Sequence, residues 1–292
     1  MFRFATKCPK LTYSYIIVIV LWSLCQYVVH GAGDTFICNG APSTFNNAES
    51  DARLAAMEAR IEQLQKLVDR KESGLTTIQG LPRDCGEIYA NGSRKDGLYH
   101  ISPDGRCPFL VYCDMDHSGW TFIQKRLDGS VNFYQPWTEY VRGFGDVSSE
   151  HWLGLEKIHR LTQGGVEIFF NISTWEGGYE FAHYKVFTVH EAATAYRMNV
   201  DAFGYEGSIK ELLSYHDNMK FSTFDRDNDL SVNNCCQKYM DGGGWWYKDC
   251  YRLGCVNGVY GKREEGGIGY WDAKHVPIKS VNIKVRQMEG TC

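Results

Sequence analysis

The segment Asp225 to Cys250, DRDNDLSVNNCCQKYMDGGGWWYKDC, gathers the residues best suited to chemistry. Asp225, Asp227 and Asp229 alternate along it, and a cysteine pair and a Gly- and Trp-rich loop follow at once. Calcium takes roughly six to eight hard oxygens in a loose cage, which carboxylates two residues apart and backbone carbonyls can supply together. The run matches an EF-hand at first and then departs. Leu230 stands where the invariant Gly belongs, and Cys236 where the bidentate Glu belongs. On these residues alone two readings stand: a calcium loop joined to a ligand-facing surface, or a solvated acidic turn.

Catalytic patterns are incomplete. His190-Glu191 opens a zinc-protease motif, but Thr194 takes the place of the second His. No GxSxG elbow, phosphate-binding loop or dinucleotide fingerprint occurs. His117, His151, His159, His183 and His216 are scattered and read as surface or packing residues. The protein is therefore expected not to be an enzyme.

Composition sets the compartment. A formal net charge of −4, with Lys and Arg spread along 292 residues, argues against nucleic acid as a partner. Aromatics at 14% can fill one large core. Eleven cysteines, not arranged as paired CxxC knuckles, suit an oxidising space rather than a zinc ribbon. The sequons Asn91-Gly-Ser93 and Asn171-Ile-Ser173 are glycosylation candidates on the same route. At the N-terminus, Arg3, Lys7 and Lys10 precede an apolar stretch from Leu11 to Val29, and Gly31, Ala32 and Gly33 follow. Residues 1–32 thus have the plan of a secretory signal. If removed, it leaves a secreted, extracellular protein. If retained, it is a signal anchor with the rest of the protein outside, as in a type II membrane receptor.

The elements follow from periodicity. Residues 33–50 form a polar linker containing Cys38. Across 51–73 an amphipathic helix is expected, with Leu54, Ile61 and Val68 at a positions and Met57 and Leu64 at d positions. It either packs on its own domain or self-associates as a short coiled coil, with Cys38 placed to form an interchain disulfide. Gly74, Gly80 and Pro82 end it. Beyond Cys85, the runs 109–113, 120–127, 166–172 and 281–287 read as strands, and 149–161 and 207–215 as helices. Gly-rich loops dominate from Met219 to Gly269. The fold class is α+β.

These blocks carry a resemblance. DCGEIYANGS (84–93), DGLYHISPDG (96–105), VYCDM (111–115), GWTFIQKRLDGSVNFY (119–134), HWLGLEKIHRLT (151–162), FSTFDRDND (221–229) and NGVY (257–260) occur in one order. Over residues 81–288 the sequence resembles the fibrinogen C-terminal domain of ficolins, tachylectins, tenascins and angiopoietins. The resemblance implies a mainly antiparallel sheet with short helices and a loop-rich calcium and ligand subdomain, preceded by the coiled-coil helix. It also implies Ca2+ held by the Asp227 and Asp229 side chains and the Ser231 and Asn233 carbonyls, with Asp225 in support. The family's two disulfides map to Cys85–Cys113 and Cys235–Cys250. Cys236 and Cys255 flank the second and could form an extra one, while Cys107 and Cys292 pair only by elimination.

Lectin members of the family hold acetyl groups, as in N-acetylglucosamine, in a small aromatic pocket beside the calcium loop. Carried over, the donors are the Cys250 and Tyr251 N–H groups, and the walls include Tyr239 and Trp246. Two departures accompany this carry-over. Tyr251 stands where the family usually has His, and a shortened loop places GKREEGG (261–267) where lectins often supply a tyrosine. The expected function is a secreted, oligomeric, calcium-dependent protein that binds carbohydrate or acetylated surfaces in innate defence. The alternative from another class is a signalling or extracellular-matrix ligand whose head binds a protein receptor.

Overall fold

The computed structural model describes residues 55–63, 66, 80–211, 213–239, 243–250, 256–264, 267–272 and 274–288, in two units that divide between Gln79 and Gly80. In the first unit, residues 55–63 and 66 are helical and exposed. Glu62 and Lys66 pair one turn apart at 2.8 Å. Met57 and Ile61, two of the seam positions, are 63% and 50% exposed. Leu54, Leu64, Val68, Cys38 and the 1–32 segment lie outside the described residues. Among the described residues no helix is long and apolar enough to cross a membrane.

The second unit is built on an antiparallel sheet. Helix α1 (Cys85–Ala90) leads into β1 (Gly97–Ile101), β2 (Phe109–Asp114) and β3 (Trp120–Arg126). Then come α2 (Trp137–Arg142), the short β4 (Phe144–Gly145) and β5 (His151–Trp152), and α3 (Leu155–Leu161). Strands β6 (Val166–Thr174), β7 (Tyr179–Val189), β8 (Met198–Asp201) and β9 (Glu206–Gly207) follow. Helix α4 (Cys235–Tyr239) precedes β10 (Gly269–Asp272) and β11 (Lys274–Gln287). The main path runs β1-β2-β3-β11-β6-β7-β8, so the last strand is inserted at the centre.

Period-two patterning explains the strands. In β6, Val166, Ile168, Phe170 and Ile172 are buried on one face while Glu167, Phe169, Asn171 and Ser173 take the other. Helix α3 turns Leu155, Ile158 and Leu161 into the core. An aromatic cluster of Tyr140, Trp152, Phe187, Phe221 and Trp246 joins the sheet to the loop-rich third, with Phe221 and Trp246 edge to face at 5.0 Å.

Two expected helices differ. Of 149–161, only Leu155–Leu161 is helical, because His151 and Trp152 pair with β3 and β4. The 207–215 run forms no α-helix among the described residues. Glu211 accepts from the Leu213 and Ser214 N–H groups at 2.8 Å each, and Leu213 N–H also donates to the Tyr184 hydroxyl at 3.0 Å. A run that short gains too little from helix propagation to compete with this local side-chain turn and the Tyr184 contact.

Candidate functional site

The acidic loop is wired at every second residue. Asp227 Oδ1 accepts from Asp229 N–H at 3.1 Å, and Asp229 Oδ1 accepts from Ser231 N–H at 2.9 Å. The second Asp229 oxygen accepts from Cys235 N–H at 2.9 Å, at the start of α4. Asn228 anchors the bend from behind, donating through Nδ2 to Phe221 O at 2.7 Å and through its N–H to Ser222 Oγ at 3.0 Å. Leu230 N–H donates to Lys248 O at 2.7 Å, which ties the acidic loop to the loop that closes at Cys250.

Asp225 has another task. Its Oδ1 accepts from Trp137 N–H at 2.9 Å and from Thr223 Oγ at 2.7 Å, so it caps the first turn of α2 from 88 residues away. Arg226 lies 4.0 Å over the Trp137 ring on the same seam.

The donor set suits a hard cation. Burial pushes the Asp229 carboxyl up to about 6; the two backbone donors oppose this, and the neighbouring Asp227 charge adds to it. A divalent cation between two adjacent carboxylates would relieve that repulsion. Among the described residues the Ser231 and Asn233 carbonyls accept no hydrogen bond and remain open as oxygen donors. Asp227, Asp229 and these two carbonyls therefore fit a calcium ion. No group of three or more His, Cys, Asp or Glu that could hold a metal occurs among the described residues.

The cysteine frame surrounds this loop. Cys85 is joined to Cys113 and Cys235 to Cys250, with Cα separations of 5.5 and 4.8 Å. Cys236 is buried, its Sγ 3.3 Å from Gly243 O. Cys107 is disulfide-bonded too, and Cys255 and Cys292 lie outside the described residues.

The expected ligand pocket needs correction at Trp246. That indole is only 2% exposed, donates Nε1–H to Tyr196 O at 2.7 Å and packs among Phe221, Trp152 and Phe187. It is a core residue, and Trp245 beside it is buried too. The cause is the preceding glycines. A Cβ on Gly243 would sit 2.2 Å from Asn257 O, and one on Gly244 2.8 Å from the Phe221 ring, so the backbone approaches closely and drives both tryptophans inward. Cys250 is buried with φ of 52°, Tyr239 ends α4, and Tyr251 lies outside the described residues.

A groove not anticipated from sequence opens nearby. It has a volume of about 380 Å³ and lies between the 128–134 loop and residues 257–260. Tyr134, half exposed on its rim, stacks on Phe224 at 4.5 Å. A buried ion pair supports its floor: Arg126 Nε meets Glu150 at 3.2 Å and Nη1 donates to Val256 O and Gly258 O at 3.0 and 2.9 Å. Its only traces in the sequence are the DGSV and NGVY blocks.

The sheet order and the two disulfides define a disulfide-stapled globular head built on a mainly antiparallel sheet. The family model for the C-terminal globular domain of fibrinogen beta and gamma chains matches residues 81–288, and the protein belongs to that family. It is 35% identical over 237 residues to fibrinogen-like protein A of Apostichopus parvimensis, a match that spans 75% of this sequence and 83% of that one. With rat tenascin-R it shares 38% identity over 213 residues, 70% of this sequence but 15% of that protein. Among solved structures, lamprey fibrin D-dimer complexed with the peptide Gly-His-Arg-Pro-amide superimposes with a TM-score of 0.66 at 29% identity, over 84% of this protein and 91% of that one.

Proposed function

We propose that this protein is a secreted, oligomeric, calcium-dependent recognition protein whose head binds carbohydrate or acetylated ligands of the N-acetylglucosamine type. The observation that carries this reading is the wiring of Asp229, which holds Ser231 and Cys235 while Cys235 is bonded to Cys250. A cation on Asp227 and Asp229 would fix the conformation of the loop that presents the Cys250 region. The half-exposed Met57 and Ile61 support assembly through the 51–73 helix. Several tethered heads would raise avidity by about 10²–10⁴ over one shallow site. Innate surface recognition is the setting that this plan suits.

The test is retention of the full-length protein on immobilised N-acetylglucosamine in calcium, with elution by chelator and by free acetate. Passage through the column in calcium at physiological salt would overturn the acetyl-binding reading. A second reading, a head that binds a protein or peptide, is favoured by the burial of Trp246 and by the open groove beside Tyr134. It has comparable support, since the lamprey relative carries a peptide. Binding to a protein receptor without retention on the sugar would decide for it.

A further inference from the structure

The solvent side of the central sheet has an aromatic platform that neither reading uses. Phe169 and Phe181 stack almost parallel, with centroids 5.7 Å apart and planes 4° apart. Phe181 is 39% exposed and Tyr179, two residues before it, is 85% exposed. Asn171 lies within this platform. It pairs directly with Phe181 on β7, stands two residues after Phe169 on the same face, and pairs on its other side with Asn282 of β11. Its carboxamide is exposed and makes no hydrogen bond among the described residues.

We propose that an N-linked glycan on Asn171 covers this platform, its first N-acetylglucosamine packed against Phe181 and Phe169. This rests on the reading that the protein is exported. The sequon Asn171-Ile172-Ser173 supplies the acceptor. The co-reactant is a lipid-pyrophosphate-linked oligosaccharide. Asn171 Nδ2 forms a bond to C1 of its first sugar, the C1–O bond to pyrophosphate breaks, and the amide proton leaves with the released pyrophosphate. The transfer would take place on the extended polypeptide, before β6 is paired on both sides.

Geometry selects this sugar as the occupant. Directly opposed residues on a sheet face lie about 4.5–5.5 Å apart, as Asn171 and Phe181 do, and residues two apart on one strand about 6.5–7 Å, as Asn171 and Phe169 do, so both rings are within reach of a sugar linked to Asn171. A pyranose presents an apolar C–H face, and an aromatic ring offers the matching flat surface. Asn91 differs: it follows α1 in a turn, and no aromatic pair flanks it on a sheet face.

The experiment uses the full-length protein expressed in a secretory eukaryotic host and recovered from the medium. Peptide mass spectrometry should find Asn171 occupied. Trimming to a single N-acetylglucosamine should leave a melting temperature about 2–4 °C above that of Asn171→Gln. In a Phe181→Ala background the difference between trimmed and Asn171→Gln proteins should vanish. An unoccupied Asn171 in secreted protein, or a melting difference unchanged by Phe181→Ala, would overturn the proposal while leaving export intact. Retention of the protein inside the cell with both sequons bare would overturn the export reading and this one together.

Discussion

Removing the Glu150 carboxylate should be among the most damaging single changes in the head. Its side chain is fully buried and that of Arg126 is 2% exposed. Glu150 also accepts from Leu127 N–H at 3.0 Å and Val131 N–H at 2.9 Å. Glu150→Ala removes the carboxylate at 3.2 Å from the guanidinium and leaves it the carbonyls of Val256 and Gly258 and the Phe133 ring. Breaking a buried pair by deleting one partner costs about 3–5 kcal/mol. The two stranded backbone donors add less than their full penalty of about 1–3 kcal/mol each, because Leu127 and Val131 are partly exposed and water can replace the carboxylate. A loss of about 4–6 kcal/mol follows, a large share of the roughly 5–15 kcal/mol that holds a domain folded. Urea unfolding followed by tryptophan fluorescence would show it as a lower midpoint with an unchanged slope. The paired change Arg126→Met with Glu150→Leu should recover much of the loss, since apolar replacement removes the desolvation penalty as well as the attraction. A loss below about 1 kcal/mol for Glu150→Ala would refute the view that this pair holds the 257–260 segment against the sheet.

Three further outcomes are expected. Chelation should lower the melting temperature of the native protein by about 5–10 °C when calcium had been about 100-fold above its Kd, equivalent to about 2.7 kcal/mol, and should leave Asp227→Ala unmoved; identical responses in calorimetry would reject the ligand set. Burial, partly offset by the nearby Trp246 backbone, pushes His216 down to about 4, so the unfolded state takes up a proton near pH 6.5 that the folded state refuses. Its contribution is complete above about pH 6.5 and fades as pH falls toward 4, by about 3 kcal/mol at most. His216→Leu should flatten that acid limb, leaving the part due to His151, which burial lowers in the same direction; a superimposable pH profile would reject it. Met57→Asp with Ile61→Asp should dissociate the oligomer in sedimentation equilibrium while the head keeps its melting temperature, and an unchanged mass would remove the 51–73 helix as the assembly element.

The strands are readable where one face is dry and the other wet, as in β2 with its strict alternation from Phe109 to Asp114. The central position of β11 is not readable, because Val281 meets both Arg126 and Ile172 only through pairings far apart in sequence. Local periodicity misleads at 207–215, where Glu211 closes a local turn on Leu213 and Ser214, and where Tyr184 and Phe181, distant in sequence, bond Leu213 and Ser208. At the site, alternate Asp residues mark the acidic loop proposed to hold a cation, and family resemblance supplies the disulfide pairing that spacing leaves open. Trp246 departs from expectation for a specific reason. An aromatic in a Gly-rich loop looks exposed, but Gly243 and Gly244 let the loop backbone sink against Asn257 and Tyr140, and the indole goes with it.

These connections also decide how a cation could govern binding without touching a ligand. Asp225 fixes α2 through Trp137, and Asp229 fixes α4 through Cys235. Cys235 is covalently joined to Cys250, and Leu230 reaches the same loop through Lys248. Like charges on Asp227 and Asp229 work against this arrangement, since repulsion favours spreading the bend on which both anchors depend. A divalent ion between them would reverse the sign of that force. With such an ion bound, the conformation of the Cys250 region would depend on it through two short connections, Asp229–Cys235–Cys250 and Leu230–Lys248. Calcium-dependent retention would thus be explained by loop order alone, and a ligand oxygen on the metal is unnecessary. The two cases separate experimentally. If loop order is the cause, Leu230→Pro, which deletes the N–H donated to Lys248, should weaken retention in saturating calcium while leaving calcium affinity within a few fold. Equal losses of both would mean that the ion and the ligand share one site.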